Sequence, residues 1–258
     1  MLNTLITQPF LNLLFVLYTA IPGHDFGLAV IILTVVIRFA LYPLAKKQLH
    51  SQKAMTAIQP EVNKLKEKYK DPQVFQAKVM ELYKEKEVNP YGSCLPLIIQ
   101  MPFILGLFYV FIKFKDPNFL PLNSDTGIMS QIYPWVKDLG FVKSFLANNT
   151  AVDTHFLGLV DLSKPNVYLA VFAGALQFVQ SKMLTPKKKE KDAQSNMMSG
   201  MTYIFPFLTV FIALSLPAAL PIYWSVTTLF AIGQQYLVMH HDVEVLEESS
   251  ERKRSKKS

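Results

Sequence analysis

The chain has 258 residues, of which 51% are hydrophobic and 17% charged, with a formal net charge of +7 and a mean hydropathy of +0.24. Its long, nearly uncharged runs exclude an ordinary soluble enzyme and define an integral membrane protein. A single cysteine, Cys94, excludes a disulfide framework or a Cys-rich metal site, and the histidines (His24, His50, His155, His240, His241) show no ligand spacing, so no cofactor and no metal are expected.

In chain order, the first apolar piece runs from Leu2 to Tyr18 and is interrupted by Thr4, Thr7, Gln8, Pro9 and Asn12, with no basic anchor. Residues 1–20 are expected to form an amphipathic helix lying in the membrane interface rather than spanning it. No cleavable leader is expected there, and no nearby cysteine offers a lipid attachment. About 20 apolar residues cross a hydrocarbon core of roughly 30 Å. Five stretches meet that length, at 26–45, 95–114, 166–184, 198–216 and 218–238, the last two joined by a tight turn marked by Pro217 and Pro221.

Between the first two spans, residues 46–90 read as an antiparallel helical hairpin. Met55, Ile58, Val62, Leu65 and Tyr69 recur at helical spacing, Asp71-Pro72 breaks the pattern, and Phe75, Val79 and Leu82 resume it until Asn89-Pro90. The connection 115–165 is long, with turns expected at Asn123-Ser124-Asp125 and Ala147–Thr150 and a short helix in IYPWVKDLGFVKSFL. A loop at 185–197 follows the third span, and the tail 239–258 is polar and expected to be disordered.

Basic residues set the orientation. The 46–90 region holds ten Lys against six acidic residues, KMLTPKKKEK follows the third span, and the chain ends ERKRSKKS, whereas 115–164 has four Lys and five Asp. The basic regions are therefore expected in the cytoplasm, the 115–165 connection and the N-terminus outside, and the C-terminus inside.

Arg38 is the anomaly within FGLAVIILTVVIRFALYPLA. A cation in hydrocarbon costs roughly 2.5–3.5 kcal/mol on insertion scales and normally has a partner, yet no other apolar stretch contains an Asp or Glu. Snorkelling to the cytoplasmic interface is one reading. Against it, helical side chains tilt toward the N-terminus, here the outer side, and Lys46 and Lys47 are the readier anchors. The other reading is a hydrated cavity. Thr34, one turn from Arg38, with Gln100, Gln177, Gln180, Ser225 beside Trp224, and Thr228, are polar groups that turn inward in lipid. Singly each reads as a helix–helix contact. Together with an unpaired arginine they suggest a wet, polar hollow. No nucleophile elbow, phosphate loop or HExxH occurs, so catalysis is not expected.

Several motifs, ITQPFLNLLFVLY, IPGHDFGLAVIILTVVIRFALYPL, IQPEVNKLKEKYK, NPYGSCLPLIIQMPFILGLFYV, FLGLVDLSKP, QSKM and LPAALPIYWSVTTLFAIGQQYL, occur in an order that resembles the YidC-type membrane protein insertases across about four-fifths of the chain. The resemblance implies an all-α integral membrane protein with five transmembrane helices around a hydrophilic groove, open to cytoplasm and lipid and closed outside. It also implies an interfacial N-terminal helix and a cytoplasmic helical hairpin. Arg38 would be the groove arginine, Trp224 would line the groove, and so would either Gln177 or Gln180. The implied function is insertion and folding of nascent membrane proteins in the bacterial plasma membrane, alone or with the Sec translocon. The basic tail and cytoplasmic loops would contact the ribosome, although anionic lipid accounts for the terminal basic cluster equally well. A large periplasmic domain and a lipoprotein start, seen in many members, are not expected here, and the family offers no role for the extended 116–153 region. A small polytopic transporter or channel, and an assembly scaffold, are the alternatives. The former is disfavoured by the lack of an internal repeat and of paired intramembrane charges.

Overall fold

The computed structural model of the chain describes residues 3–89, 95–114, 116, 118–122, 127–184 and 193–255. A π-helical turn, Asn3–Thr7, leads into α1 (Gln8–Ala20), followed by α2 (Phe26–Ala40), α3 (Tyr42–Lys68), α4 (Pro72–Glu85) and α5 (Leu95–Lys113). Two short helices, α6 (Pro134–Lys137) and α7 (Gly140–Asn148), and a two-stranded hairpin, β1 (His155–Phe156) with β2 (Val160–Asp161), precede α8 (Val167–Leu184), α9 (Ala193–Ala213) and α10 (Ala219–Ser255). Phe156 pairs with Val160 and His155 with Asp161 in the antiparallel hairpin.

α2 starts at Asp25, whose Oδ1 accepts the Leu28 N–H at 2.8 Å. It stops at Leu41 because Pro43, at the second position of α3, has no N–H for the Phe39 carbonyl and its ring crowds that carbonyl. The single helix expected over 26–45 is therefore broken, and α2 and α3 meet at 67°. Among the described residues no single helix is long and apolar enough to cross a membrane. The bent pair α2–α3 is so by length and composition, and Thr4–Ala20, Gln100–Lys113 and Tyr203–Ala213 are shorter apolar helices. Interior glutamines explain part of this. Gln177 and Gln180 interrupt α8, and Gln234 and Gln235 interrupt α10.

α3 and α4 pack on each other with Ile58, Val62 and Leu82 buried between them. Asp71 caps α4 by accepting the Gln73 and Val74 N–H groups at 2.8 and 3.2 Å, and Lys86 pairs with Glu61 at 3.0 Å across the two helices. The rest of the molecule is built on α10, which packs against both α8 and α2, while α9 packs on α8. Gly174 permits that last approach, since a Cβ there would sit 2.2 Å from Val210 Cγ2.

The hydrophobic core gathers at one end. Leu14, Phe15 and Tyr18 of α1, Phe26 and Val30 of α2, Phe111 of α5 and Phe114 just after it are buried in one cluster. Ile128, Val136, Val142, Phe145 and Val152 of the long connection are buried in the same cluster. The described part of the 116–153 stretch thus forms a packed cap. Asn12 of α1 pins it, donating to the Gln131 carbonyl at 2.9 Å and accepting the Tyr133 N–H at 2.7 Å. The Tyr18 hydroxyl accepts the Asp153 N–H at 2.9 Å. The Asp25 carboxylate that caps α2 also accepts the Leu157 N–H at 2.5 Å, and Phe156 lies over Gly27, where a Cβ would come within 2.2 Å of its ring. The turn between α9 and α10 joins this end, because Ala218 and Ala219 donate to the carbonyls of Lys164 and Leu162 at 2.9 and 3.3 Å.

α10 runs on to Ser255 through the tail expected to be disordered. After Gly233 no Gly or Pro stops it, and the sequence is rich in helix-forming Glu, Lys, Arg and Leu. The turn expected at Asn123–Asp125, Pro90 of the predicted break, and most of the 185–197 loop lie outside the described residues.

Candidate functional site

α2 and α5 run antiparallel and touch at both ends, with different chemistry at each. At the capped end the Phe26 ring meets Phe111 and Phe114 at centroid distances of 6.0 and 4.9 Å. The void lined by Tyr18, Phe26 and Phe114 leaves no room for a water molecule. At the other end the contact is polar. Arg38 Nη2 donates to Gln100 Oε1 at 2.9 Å, and Gln100 Nε2 donates to the Tyr223 hydroxyl at the start of α10. Three helices are thereby joined through one amide.

The contacts of Arg38 show which way its side chain points. Its neighbour Phe39 stacks edge-on against Phe230 at 5.2 Å, whereas the guanidinium reaches the amide held by Tyr223, about 10 Å nearer the capped end along α10 at 1.5 Å per residue. The side chain points back along α2, as the tilt of helical side chains requires, and does not snorkel toward α3. Its partner is neutral. Among the described residues no carboxylate pairs with Arg38, so of the five guanidinium donors one is engaged, by an amide oxygen.

The other predicted residues fall into two groups. Thr34 is buried one turn from Arg38 and returns its hydroxyl to the Val30 carbonyl at 2.7 Å. Ser225 does the same to Pro221 at 2.7 Å. Both satisfy themselves within their own helix. Trp224 is half-buried against the core. Gln177 and Gln180 are half-buried on α8, one turn apart, and the Arg38–Gln100–Tyr223 relay does not include them. Gln234 of α10 is buried with its Nε2 unbonded among the described residues.

Sequence reasoning missed Tyr223. Counted as hydrophobic, it disappears into the apolar run LPIYW. The available signal was its hydroxyl, which when buried normally finds a hydrogen-bond partner. Among the described residues no group of His, Cys, Asp and Glu is arranged to hold a metal.

The fold and site define a mostly helical protein with a tightly packed aromatic end and an arginine held by a neutral amide. Comparison with known proteins narrows this. The family described as "60Kd inner membrane protein" matches residues 16–245. The membrane protein insertase YidC of Clostridium tetani is 35% identical over 217 residues, covering 84% of this chain and 82% of its own length. MisCA of Bacillus subtilis, also described as a membrane protein insertase, is 31% identical over 230 residues, covering 86% of this chain and 74% of its own. The YidC of Fusobacterium nucleatum is 33% identical over 218 residues, covering 83% and 86%. A crystal structure titled as an active YidC insertase with its first transmembrane domain resolved is 29% identical, with a TM-score of 0.49, covering 81% of this chain and 41% of that longer one. The chain belongs to the YidC-type, 60Kd inner membrane protein family.

Proposed function

We propose that this protein inserts nascent membrane proteins into the bacterial plasma membrane through a polar, hydrated groove, lined by Arg38, Gln100 and Tyr223 with Thr34, Trp224 and Ser225 close by. Five membrane passes surround the groove, the first of them made with the bent pair α2–α3 in place of one straight helix over 26–45. The observation that carries this reading is a half-buried guanidinium whose bonded partner is a neutral amide. A charge kept without a counter-ion suits a site that receives anionic groups transiently. The acidic flank of a client enters from the cytoplasm, where the guanidinium replaces part of its lost hydration and lowers the desolvation barrier. The adjoining apolar segment then leaves sideways into lipid, driven by burial worth about 25 cal/mol per Å².

The dry aromatic cluster supports a groove closed on the outer side, because the polar relay lies at the opposite ends of α2 and α5. The joining of the α9–α10 turn to the 116–165 region supports a common, external location for both. The hairpin α3–α4 and the C-terminal segment then face the cytoplasm, where their lysines and arginines suit contact with a translating ribosome or anionic lipid. Work alongside the Sec translocon is part of the proposal by resemblance to the family.

The test is insertion of a single-span client with an acidic translocated tail into membranes depleted of other insertases. Arg38→Ala is expected to reduce insertion about tenfold or more, and Arg38→Lys to retain most of it. Undiminished insertion by Arg38→Ala would overturn the electrostatic role. Crosslinking from Thr34 or Trp224 to many different nascent chains, rather than stably to one partner, separates insertion from scaffolding.

A further inference from the structure

Arg38 is occupied by Gln100, and Gln100 is itself held from behind by Tyr223. The order of these contacts matters. The amide oxygen faces the cation and the amide nitrogen faces the phenol, so the glutamine is oriented as an acceptor toward the guanidinium. We propose that Gln100 is a resident, exchangeable ligand of Arg38, one that a client's carboxylate displaces, and that it sets the protein's preference for acidic clients. This rests on the groove reading above and specifies how the site is kept between clients.

The argument is one of relative strength. A guanidinium left wholly unbonded in a low-dielectric site is unfavourable, so an empty groove requires some acceptor. A permanent Asp or Glu would satisfy it, but a charged pair would have to be broken for every client. The bond from the guanidinium to the Gln100 amide is already charge-assisted, but a carboxylate adds a net opposite charge, and in a low-dielectric site that Coulomb attraction favours exchange of the Gln100 oxygen for a carboxylate oxygen. The position therefore requires an acceptor that is good enough to hold Arg38 and weaker than the client. An amide meets both conditions. The absence of any Asp or Glu from α5 agrees with the requirement. Tyr223 completes the device, because its hydroxyl keeps the Gln100 amide hydrogen-bonded on its far side while the near side lets go.

The experiment compares insertion of two clients that differ only in whether the translocated flank carries Asp or Asn, and reads the acidic-to-neutral ratio within each variant. In Gln100→Glu a near-isosteric fixed carboxylate occupies Arg38, and the ratio is expected to fall about tenfold relative to the wild type. In Gln100→Met the acceptor is removed without adding charge, and the ratio is expected to be kept or to rise. Arg38→Ala is the control. If it leaves the ratio unchanged, the groove reading itself fails. If Arg38→Ala lowers the ratio and Gln100→Glu does not, the exchange is wrong while the groove stands. Should the Glu variant fail to accumulate in membranes, the Met variant decides. A kept or raised ratio supports displacement, and a ratio lowered as in Arg38→Ala shows that Gln100 only holds Arg38 in place.

Discussion

Phe26 of α2 and Phe114, the residue that follows α5, lie 4.9 Å apart, ring centroid to ring centroid, at the far end of the same two helices that Arg38 and Gln100 join through a hydrogen bond. One antiparallel pair is thus waterless at one end and polar at the other. That asymmetry organises the expected effects of substitution.

Tyr223→Phe removes the acceptor of the Gln100 amide and leaves its N–H unpaired. The cost is expected at about 1–3 kcal/mol, read as a lower melting temperature in detergent. Insertion of an acidic client should fall, though less than in Arg38→Ala, since the cation remains. A variant as stable and active as the parent would show that the phenol is not part of the relay.

Asn12 holds the cap to α1 through the Gln131 carbonyl and the Tyr133 N–H. Asn12→Leu leaves the Tyr133 N–H unpaired, at about 1–3 kcal/mol, while the Gln131 carbonyl keeps the Gln8 Nε2 donor at 3.2 Å. Limited proteolysis should then cut the 116–153 region markedly faster. Unchanged cleavage would mean that apolar packing alone retains the cap.

Any side chain at position 27 meets the Phe156 ring. Gly27→Ala should destabilise the protein by about 1–3 kcal/mol through overpacking, and Phe156→Ala in the same chain should recover part of the loss. Additive losses in the double variant would place the clash elsewhere.

The β1–β2 hairpin depends on Asp161, which accepts hydrogen bonds from Thr154 at 2.9 Å and from the Ser163 hydroxyl at 2.6 Å and pairs with Lys164 at 2.9 Å. Partial burial pushes its carboxyl up, but the Ser163, Lys164 and Thr154 bonds outweigh that and hold it well below the ordinary carboxylate range. A group depressed on folding contributes stability above its unfolded pKa of about 3.9, and loses it as pH falls through the folded value. Hydrogen exchange of the hairpin, corrected for intrinsic rates, should therefore stay protected down to about pH 4 and weaken below it. In Asp161→Asn it should be weaker at neutral pH and lack that acid transition. A variant with the same profile as the parent would remove the carboxylate from the account.

The helices were legible because their signals are local. The periodic seam of Ile58, Val62 and Leu82 and the Asp71-Pro72 break are spacing and turn chemistry within a few residues. Arg38, Thr34 and Gln100 were legible as polar exceptions in apolar runs, and the structure joins two of these three. The remainder depends on distant partners. Nothing near Gly27 announces Phe156, and nothing in Asn12 announces Gln131. The cap was read as a connection with turns and a short helix in IYPWVKDLGFVKSFL, and its packing was not, because Ile128, Val136 and Phe145 follow no single period. They are buried because α1 and α5 supply a surface for them. The break at Leu41 could have been taken from Pro43, but the apolar run continues across it and the hydrophobic signal outweighed the steric one.

The 67° turn at Leu41 has a mechanical consequence. α3 is a continuous helix of 27 residues with Pro60 inside it, about 40 Å long at 1.5 Å per residue. A rod of that length pivoted at one end converts each degree of rotation into about 0.7 Å of travel at its tip. Arg38 sits three residues from the pivot and the Asp71 turn sits just beyond the tip. A small change in angle near the arginine is thus magnified into a sweep of several ångströms at the Asp71 turn, and a load applied at that turn is returned to the arginine with the leverage reversed.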